Sequence, residues 1–346
     1  MESSCGGIGR VKERYYFSIV MATYNSENTI DKALRSIRNQ KFDQEKIEIL
    51  VVDGGSTDRT IEIANQYGAT VLKNPYRLPE PAKMIGLKYA AGRYLCIMDS
   101  DEEAMDDRIF EKRRNLLETH KELKCLAVGL ATPRDSDACC HYINMVGDPF
   151  SCFVYRTWKD SMEGLIIRRG RYYPNLNSYI AEYAKEDIKP IGDSGTVMDL
   201  DYLKAHYSAE FDQLTTSVLF DRIITDTGFV GFVKGDRHYH YTSASFKAFF
   251  RKLKFRIINN IFDVSGSGYA RKAEQNTKLS GRKYLFPVYA ISFLFPLIDG
   301  IRMTVNYKHW IFLMHPVFSI YVLIEIVYQY FCKMIGIKRK NSSYAK

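Results

Sequence analysis

The fold turns on one stretch, Tyr94-Leu95-Cys96-Ile97-Met98-Asp99-Ser100-Asp101-Glu102-Glu103. A mostly apolar run opens after Gly92 and ends abruptly in acids. A short apolar run bounded by glycine predicts a buried strand over Tyr94 to Met98. In open α/β sheets, ligands gather beyond the carboxyl ends of the strands. Carboxylates crowded at such an end repel one another unless a cation neutralises them. Hard oxygen ligands suit Mg²⁺ or Mn²⁺, and such an ion can hold a diphosphate. The plainer alternative is a solvated acidic turn that starts a helix at Met105.

Upstream, strands and helices alternate. Tyr16 to Thr23 is rich in β-formers and ends at Tyr24-Asn25-Ser26, which predicts a first strand and a polar loop. Asn28 or Ser26 is expected to cap the next helix, whose apolar stripe is Ile30, Ala33, Leu34 and Ile37. Ile47 to Val52 is a second apolar run, ending in Asp53-Gly54-Gly55-Ser56-Thr57-Asp58. A helix over Thr60 to Tyr67, a strand over Ala69 to Leu72 and a helix over Ala82 to Ala91 lead back to the opening stretch. Such alternation predicts βαβ units and a mainly parallel sheet. The polar loops 23–28, 53–58 and 99–103 then share one rim.

The Asp53 loop has two readings. It is a tight turn capped by Ser56 or Thr57, or its carboxylate accepts hydrogen bonds from a base or ribose while the glycines admit the ligand. Neither a Gly-x-Gly-x-x-Gly fingerprint nor a Walker A lysine motif is present, which weakens dinucleotide and P-loop readings.

Three motifs in order, Ile19-Val20-Met21-Ala22-Thr23-Tyr24-Asn25, Val51-Val52-Asp53-Gly54-Gly55-Ser56-Thr57-Asp58 and Gly92-Arg93-Tyr94-Leu95-Cys96-Ile97-Met98-Asp99-Ser100-Asp101, resemble the nucleotide-sugar half of family-2 glycosyltransferases. The resemblance covers residues 17–103 and implies a GT-A fold with inverting transfer from a nucleoside-diphosphate sugar. It implies that Thr23, Tyr24 and Glu27 line the nucleoside pocket and that Asp53 binds the base. Asp99 and Asp101 would hold the diphosphate through Mg²⁺ or Mn²⁺. Glu103 stands where some polyprenyl-phosphate sugar transferases place a further ligand. One departure is Ala82-Lys83-Met84-Ile85-Gly86, where the family reads Ala-Arg-Asn-x-Gly. Lys83 can meet a phosphate as a point charge but lacks the guanidinium fork.

The acceptor side is expected within 104–245. Leu126 to Leu130 predicts a strand, and residues 131–190 show no clear periodicity. Gly192-Asp193-Ser194-Gly195 resembles the family's glycine-rich loop near the acceptor. The position where the family carries its acidic base falls on Ser217. Asp221, on a helix over 218–227, is the nearest carboxylate, and Asp193 is the alternative. His238 and His240 alternate along one strand face, so His240 can reach a metal or simply pack.

The tail changes character. Phe246, Phe249, Phe250, Leu253, Ile257 and Ile258 form a stripe interleaved with Lys247, Arg251, Lys252, Lys254 and Arg256. A basic amphipathic helix reads as membrane-surface, with packing onto the domain or nucleic-acid binding as alternatives. Two apolar runs follow, Tyr284 to Ile298 and Trp310 to Ile324, which with their flanks approach the ~20 residues a bilayer needs. They predict a spanning hairpin or an interfacial pair. Basic residues 247–283 and Lys338-Arg339-Lys340 would flank it on the cytoplasmic side.

Composition fits this reading. The 346 residues are 46% hydrophobic and 26% charged, with net charge +9. Seven cysteines at irregular spacing form neither a disulfide ladder nor a zinc pattern, so a reducing compartment is expected. The expectation is therefore an α/β protein: a flexible tail over 1–16, a GT-A-type sheet flanked by helices over 17–245, and a helical membrane-associated segment over 246–346. Its partners would be a nucleoside-diphosphate sugar, a polyprenyl-phosphate or saccharide acceptor and membrane lipid, but not nucleic acid. The competing readings are a nucleotidyltransferase and a non-catalytic membrane-binding protein.

Overall fold

The computed structural model describes residues 15–156, 162–183, 195–242, 245–262 and 281–337. The first hundred residues alternate as their pattern predicts: β1 (Phe17–Thr23), α1 (Ile30–Arg38), β2 (Ile47–Asp53), α2 (Thr60–Gln66), β3 (Thr70–Lys73), α3 (Pro79–Tyr89) and β4 (Tyr94–Ile97). β1 pairs parallel with both β2 and β4, and β2 with β3. The stripe Ile30, Ala33, Leu34 and Ile37 is wholly buried. At about 1.5–3 kcal/mol per large apolar side chain, this stripe anchors α1 to the sheet.

Two details differ from expectation. Neither Asn28 nor Ser26 caps α1 with its side chain; the Ser26 carbonyl accepts the Thr29 and Ile30 N–H groups instead. α3 starts at Pro79 rather than Ala82, because prolines fit a first helical turn, where no N–H is needed. Gly86 lets α3 sit close to β1: a Cβ there would lie 2.2 Å from Val20 Cγ1.

Beyond β4 the chain forms β5 (Glu102–Ala104) before α4 (Ile109–Thr119), so no helix begins at Met105. The strand expected over Leu126 to Leu130 divides into β6 (Cys125–Leu126) and β7 (Gly129–Ala131), in separate sheets. The stretch without visible periodicity holds α5 (Ala138–Val146), α6 (Pro149–Tyr155), α7 (Met162–Arg169), β8 (Arg171–Tyr173) and β9 (Ser178–Glu182). Then come β10 (Val197–Asp199), α8 (Leu200–Tyr207), α9 (Thr216–Thr227), β11 (Phe229–Val233) and β12 (Arg237–His240). The main sheet runs β3-β2-β1-β4-β10-β6-β11-β9-β8, parallel in its first half and mixed after β10 enters antiparallel to β4 and β6. A second sheet, β5-β12-β7, lies past the end of β4.

The C-terminal helices are α10 (Phe246–Phe262), α11 (Phe286–Ile291), α12 (Leu294–Tyr307) and α13 (His315–Met334). The α10 stripe expected on a membrane surface is turned inward: Phe249, Leu253, Ile257 and Ile258 are buried. Phe249, Leu253 and Ile257 share one core with Cys139, Tyr142, Ile143 and Val146 of α5 and with Phe312, Phe318 and Val322. The expected boundary at residue 245 is thus crossed by a continuous apolar cluster. A polar chain joins the same parts. Tyr289 donates to Asp299, the His315 ring bonds the Tyr289 hydroxyl at 3.0 Å, and Tyr142 of α5 bonds the other ring nitrogen.

The first apolar run bends by 95° between Gly281–Ile291 and Leu294–Tyr307, with Phe293 at φ 54. Among the described residues, Trp310–Met334 is one helical run long and apolar enough to cross a membrane, at mean hydropathy 1.9, and half of its apolar window is buried. Exposed large apolar side chains gather on this layer, including Val288, Ile291, Val305, Ile324 and Met334.

Candidate active site

The three polar loops follow β1, β2 and β4 and are knotted together by hydrogen bonds. The Asn25 N–H donates to Ser56 Oγ at 2.8 Å, Ser26 N–H to Thr60 Oγ1 at 2.7 Å and Glu27 N–H to Asp58 Oδ2 at 3.1 Å. In return, Thr57 N–H donates to Asn25 Oδ1 at 2.9 Å and Arg59 N–H to Glu27 Oε2 at 3.1 Å. Glu27 therefore sits at the start of α2, where a carboxylate also suits the helix dipole. Ser100 Oγ reaches Ser26 Oγ at 3.0 Å and ties in the third loop.

Asp53 is buried and organises its own turn. Its carboxylate accepts the Gly55 and Ser56 N–H groups at 2.8 and 2.9 Å, the Ser56 hydroxyl, and the Thr23 hydroxyl at 3.2 Å. Four internal donors fill the acceptor capacity of a carboxylate. A ligand N–H that reaches Asp53 must replace one of them. Tyr24 lies over the turn, so a Cβ on Gly54 would come within 3.1 Å of its ring, and Arg77 stands 6.0 Å from the ring centroid.

At the end of β4, Lys83 Nζ lies 3.0 Å from Asp99 Oδ1, and His240 Nε2 lies 3.4 Å from Asp101 Oδ2. Burial opposes ionisation of Asp101, but the His240 charge and hydrogen bond outweigh it, holding its pKa below the ordinary value. Burial likewise opposes the His240 charge, and Asp101 wins there too, raising that pKa. Alternation along β5 separates its two glutamates. Glu103 accepts the Tyr241 hydroxyl at 2.5 Å, while Glu102 pairs in register with His240 and meets His238. Glu103 and His240, both expected near a metal, thus depart from opposite faces.

Sequence reasoning missed the support beneath this loop. Arg113 of α4 donates to both Asp236 oxygens at 2.7 Å, and its Nη2 donates to His238 Nε2 at 3.1 Å. Arginine is always a donor, so His238 Nε2 is an acceptor and its proton sits on Nδ1, which donates to Glu102 Oε2 at 3.0 Å. All four groups are buried. Burial, then the Asp99 charge, pushes the Glu102 carboxyl well up. Only the alternating His-Tyr-His-Tyr run hinted at this packing.

Lys252 was expected only on a basic helix surface. Its Nζ donates to Thr242 Oγ1 at 2.6 Å, and the charges of Asp99 and Asp101 act on it. Burial, then Arg256, still pushes its pKa down to about 8. Asp221 stands on α9, with its charge acting on the buried Cys125 thiol. Asp193 lies outside the described residues.

Among the described residues, no three His, Cys, Asp or Glu side chains converge on a metal position. Asp99 and Asp101 are the kind of oxygen donor that hard divalent ions take. Asp99 and Asp101 keep 27% and 32% of their side chains exposed, and the buried His240 Nδ1 has no hydrogen-bond partner among the described residues.

Residues 18–132 match the model of glycosyl transferase family 2. An uncharacterized glycosyltransferase of Haemophilus influenzae is 31% identical over 113 residues, 30% of this chain and 43% of its own length. The poly(ribitol-phosphate) beta-N-acetylglucosaminyltransferase TarS of Staphylococcus aureus is 29% identical over 113 residues, 31% of this chain and 20% of its own. The chain therefore spans less than half the length of these relatives. Two solved structures share the fold. S. aureus TarS 1–349 in complex with UDP has TM-score 0.50 at 16% identity, covering 93% of this chain and 92% of that one. The mannosyltransferase PcManGT from Pyrobaculum calidifontis, in complex with GDP-Man and Mn²⁺, has TM-score 0.54 at 14% identity, covering 91% and 88%. The similarity to glycosyl transferase family 2 lies in residues 18–132, about a third of the chain, and the fold around them is of the GT-A type.

Proposed function

We propose that the protein transfers a sugar, with inversion, from a nucleoside-diphosphate sugar to a lipid-phosphate or saccharide acceptor at a membrane. The observation that carries this reading is the interlock of the three loops around the Asp99–Glu103 turn. Thr23, Tyr24 and Asp53 would take the nucleoside, with the Ser56 hydroxyl yielding its place on Asp53 to the base. Lys83, 3.0 Å from Asp99, and Lys252, whose charge acts on Asp99 and Asp101, would face the diphosphate. Asp99, Asp101 and His240 would hold Mg²⁺ or Mn²⁺, with Glu103 on the far side of β5. The ion would neutralise the leaving diphosphate.

Acceptor activation is assigned to Asp221 or Asp193, either of which would take the hydroxyl proton. A phosphate acceptor is already an anion and needs no base, which suits the serine at position 217. The uridine ligand of one structural neighbour and the GDP-Man and Mn²⁺ of the other support a nucleotide-sugar donor and a divalent ion. The apolar face of the C-terminal helices supports membrane association, and the basic α10 supports a cytoplasmic catalytic half. A thermal-shift screen of UDP-, GDP- and dTDP-sugars, with and without Mn²⁺, tests the reading, followed by an assay for diphosphate release. A donor should raise the unfolding temperature, more so with Mn²⁺. No shift with any of them, and no release, would overturn it.

A further inference from the structure

A cavity of about 530 Å³ lies in the helical layer, between α6, the turn Gly281–Leu285 and the α11–α12 elbow. Arg156, Arg282 and Arg302 line it with a single carboxylate, Asp299. That carboxylate is already engaged: it accepts the Tyr289 hydroxyl at 3.0 Å and the Arg302 guanidinium at 3.4 Å. Arg282 is different. Its Nη1 is buried without a hydrogen-bond partner among the described residues, and its guanidinium lies over the Phe153 ring at 4.7 Å. Burial, then the neighbouring Arg156 charge, holds its pKa below the ordinary arginine value. A buried, unmatched guanidinium N–H calls for an anion with several acceptor oxygens.

The rest of the wall says what carries that anion. Leu285, Val288 and Phe295 line the cavity and also belong to the exposed apolar face. The cations therefore sit among side chains that would meet hydrocarbon. Cationic polar groups beside an apolar wall complement a phosphate joined to an acyl chain.

We propose that this cavity binds the phosphate headgroup of an anionic membrane lipid, with Arg282 and Arg156 on the phosphate oxygens and Leu285, Val288 and Phe295 along the chain. The site shares no residue with the acidic loop. The proposal rests on the membrane placement given above but not on sugar transfer.

The test uses the full chain and flotation with phosphatidylcholine vesicles, with and without phosphatidylglycerol. Arg282→Gln should weaken binding to the phosphatidylglycerol vesicles about tenfold and leave binding to the neutral ones unchanged. Arg282→Lys should weaken it several-fold too, because lysine keeps the charge but loses the fork. Diffuse attraction to an anionic surface would not distinguish lysine from arginine. Wild-type binding by Arg282→Lys would therefore overturn the site. If Arg282→Gln lowers the unfolding temperature, Arg156→Gln, on an exposed side chain, serves as the second variant and should weaken binding likewise. Inorganic phosphate is the remaining probe. If it stabilises the wild type but not Arg282→Gln, while phosphatidylglycerol makes no difference, the cavity belongs to free phosphate and the lipid assignment falls. None of these readouts involves a sugar donor, so this proposal and the transferase reading fail separately.

Discussion

Lys83 Nζ lies 3.0 Å from Asp99 Oδ1, joining the body of α3 to the end of β4. The lysine side chain is 6% exposed and the aspartate 27%, so the pair faces the rim from the carboxylate side. Lys83 thus stands where a divalent ion would compete for Asp99. Lys83→Gln should tighten Mn²⁺ binding to the donor-free protein, since a nearby like charge disfavours the ion. It should also weaken nucleotide-sugar binding, because the diphosphate loses a cation. Each change should be roughly tenfold, as one close charge shifts ionic equilibria by about one to three pK units. Calorimetry reads both, and no change in either would remove Lys83 and Asp99 from the donor site.

Arg113 and Asp236 form a fully buried pair with two 2.7 Å hydrogen bonds. Arg113→Met strands the Asp236 charge and should destabilise the protein by about 3–5 kcal/mol in urea unfolding. Arg113→Met combined with Asp236→Leu should lose less than the single change, because no charge is left unmet. Additive losses would show that the pair is not coupled.

His238 extends the same network, and burial, then Arg113, pushes its pKa down to about 3. A histidine kept neutral in the folded state contributes stability above its ordinary value near 6.5. That contribution is lost as pH falls from there toward about 3. The wild type should therefore lose stability below about pH 6.5 more steeply than His238→Gln. Parallel pH profiles would place the acid sensitivity elsewhere.

How much of this was readable follows from the range of each interaction. The stripe Ile30, Ala33, Leu34 and Ile37, the strand ending at Asp53 and the strand just before Asp99 are local patterns, and they were legible. α5 and α6 were not, because they are apolar on most sides and are announced only by single capping aspartates, Asp137 and Asp148. The pairing of β5 with β12 brings Glu102 to His240 across more than a hundred residues, and no local signal encodes it. The α10 stripe showed that one face is apolar, but not that α5 and α13 cover it. Lys252 was lost in the same way, as one basic residue among several.

Lys252 gives a prediction with opposed signs. Its pKa is pushed down to about 8, so between pH 8 and its ordinary value the folded state holds fewer protons than the unfolded one. Stability should rise with pH across that window and fall as pH drops through about 8. Donor affinity should do the reverse, falling as the ammonium is lost. Lys252→Met should bind donor roughly tenfold more weakly at neutral pH and show a flatter profile. A wild-type profile in the variant would place Lys252 outside the diphosphate's reach.

The C-terminal layer separates two roles that the sequence pattern merged. Its inner face shares a core with α5, while Ile291 and Val305, at 72% and 70% exposure, point away from it. Ile291→Glu and Val305→Glu should each leave the unfolding temperature unchanged. Each should lower the salt-resistant membrane-bound fraction, roughly tenfold or more, as burying such a side chain is worth about 1.5–3 kcal/mol. High salt should not release the wild type, because apolar insertion is not screened by ions. A chain ending at residue 245 should fare differently. It would uncover Cys139, Tyr142, Ile143 and Val146 together, so it should aggregate rather than yield a soluble donor-binding domain. Recovery of a soluble, cooperatively folding 15–245 fragment would show that α5 does not need the C-terminal helices. Unchanged membrane binding by both glutamate variants would show that the exposed apolar face is not what holds the protein there.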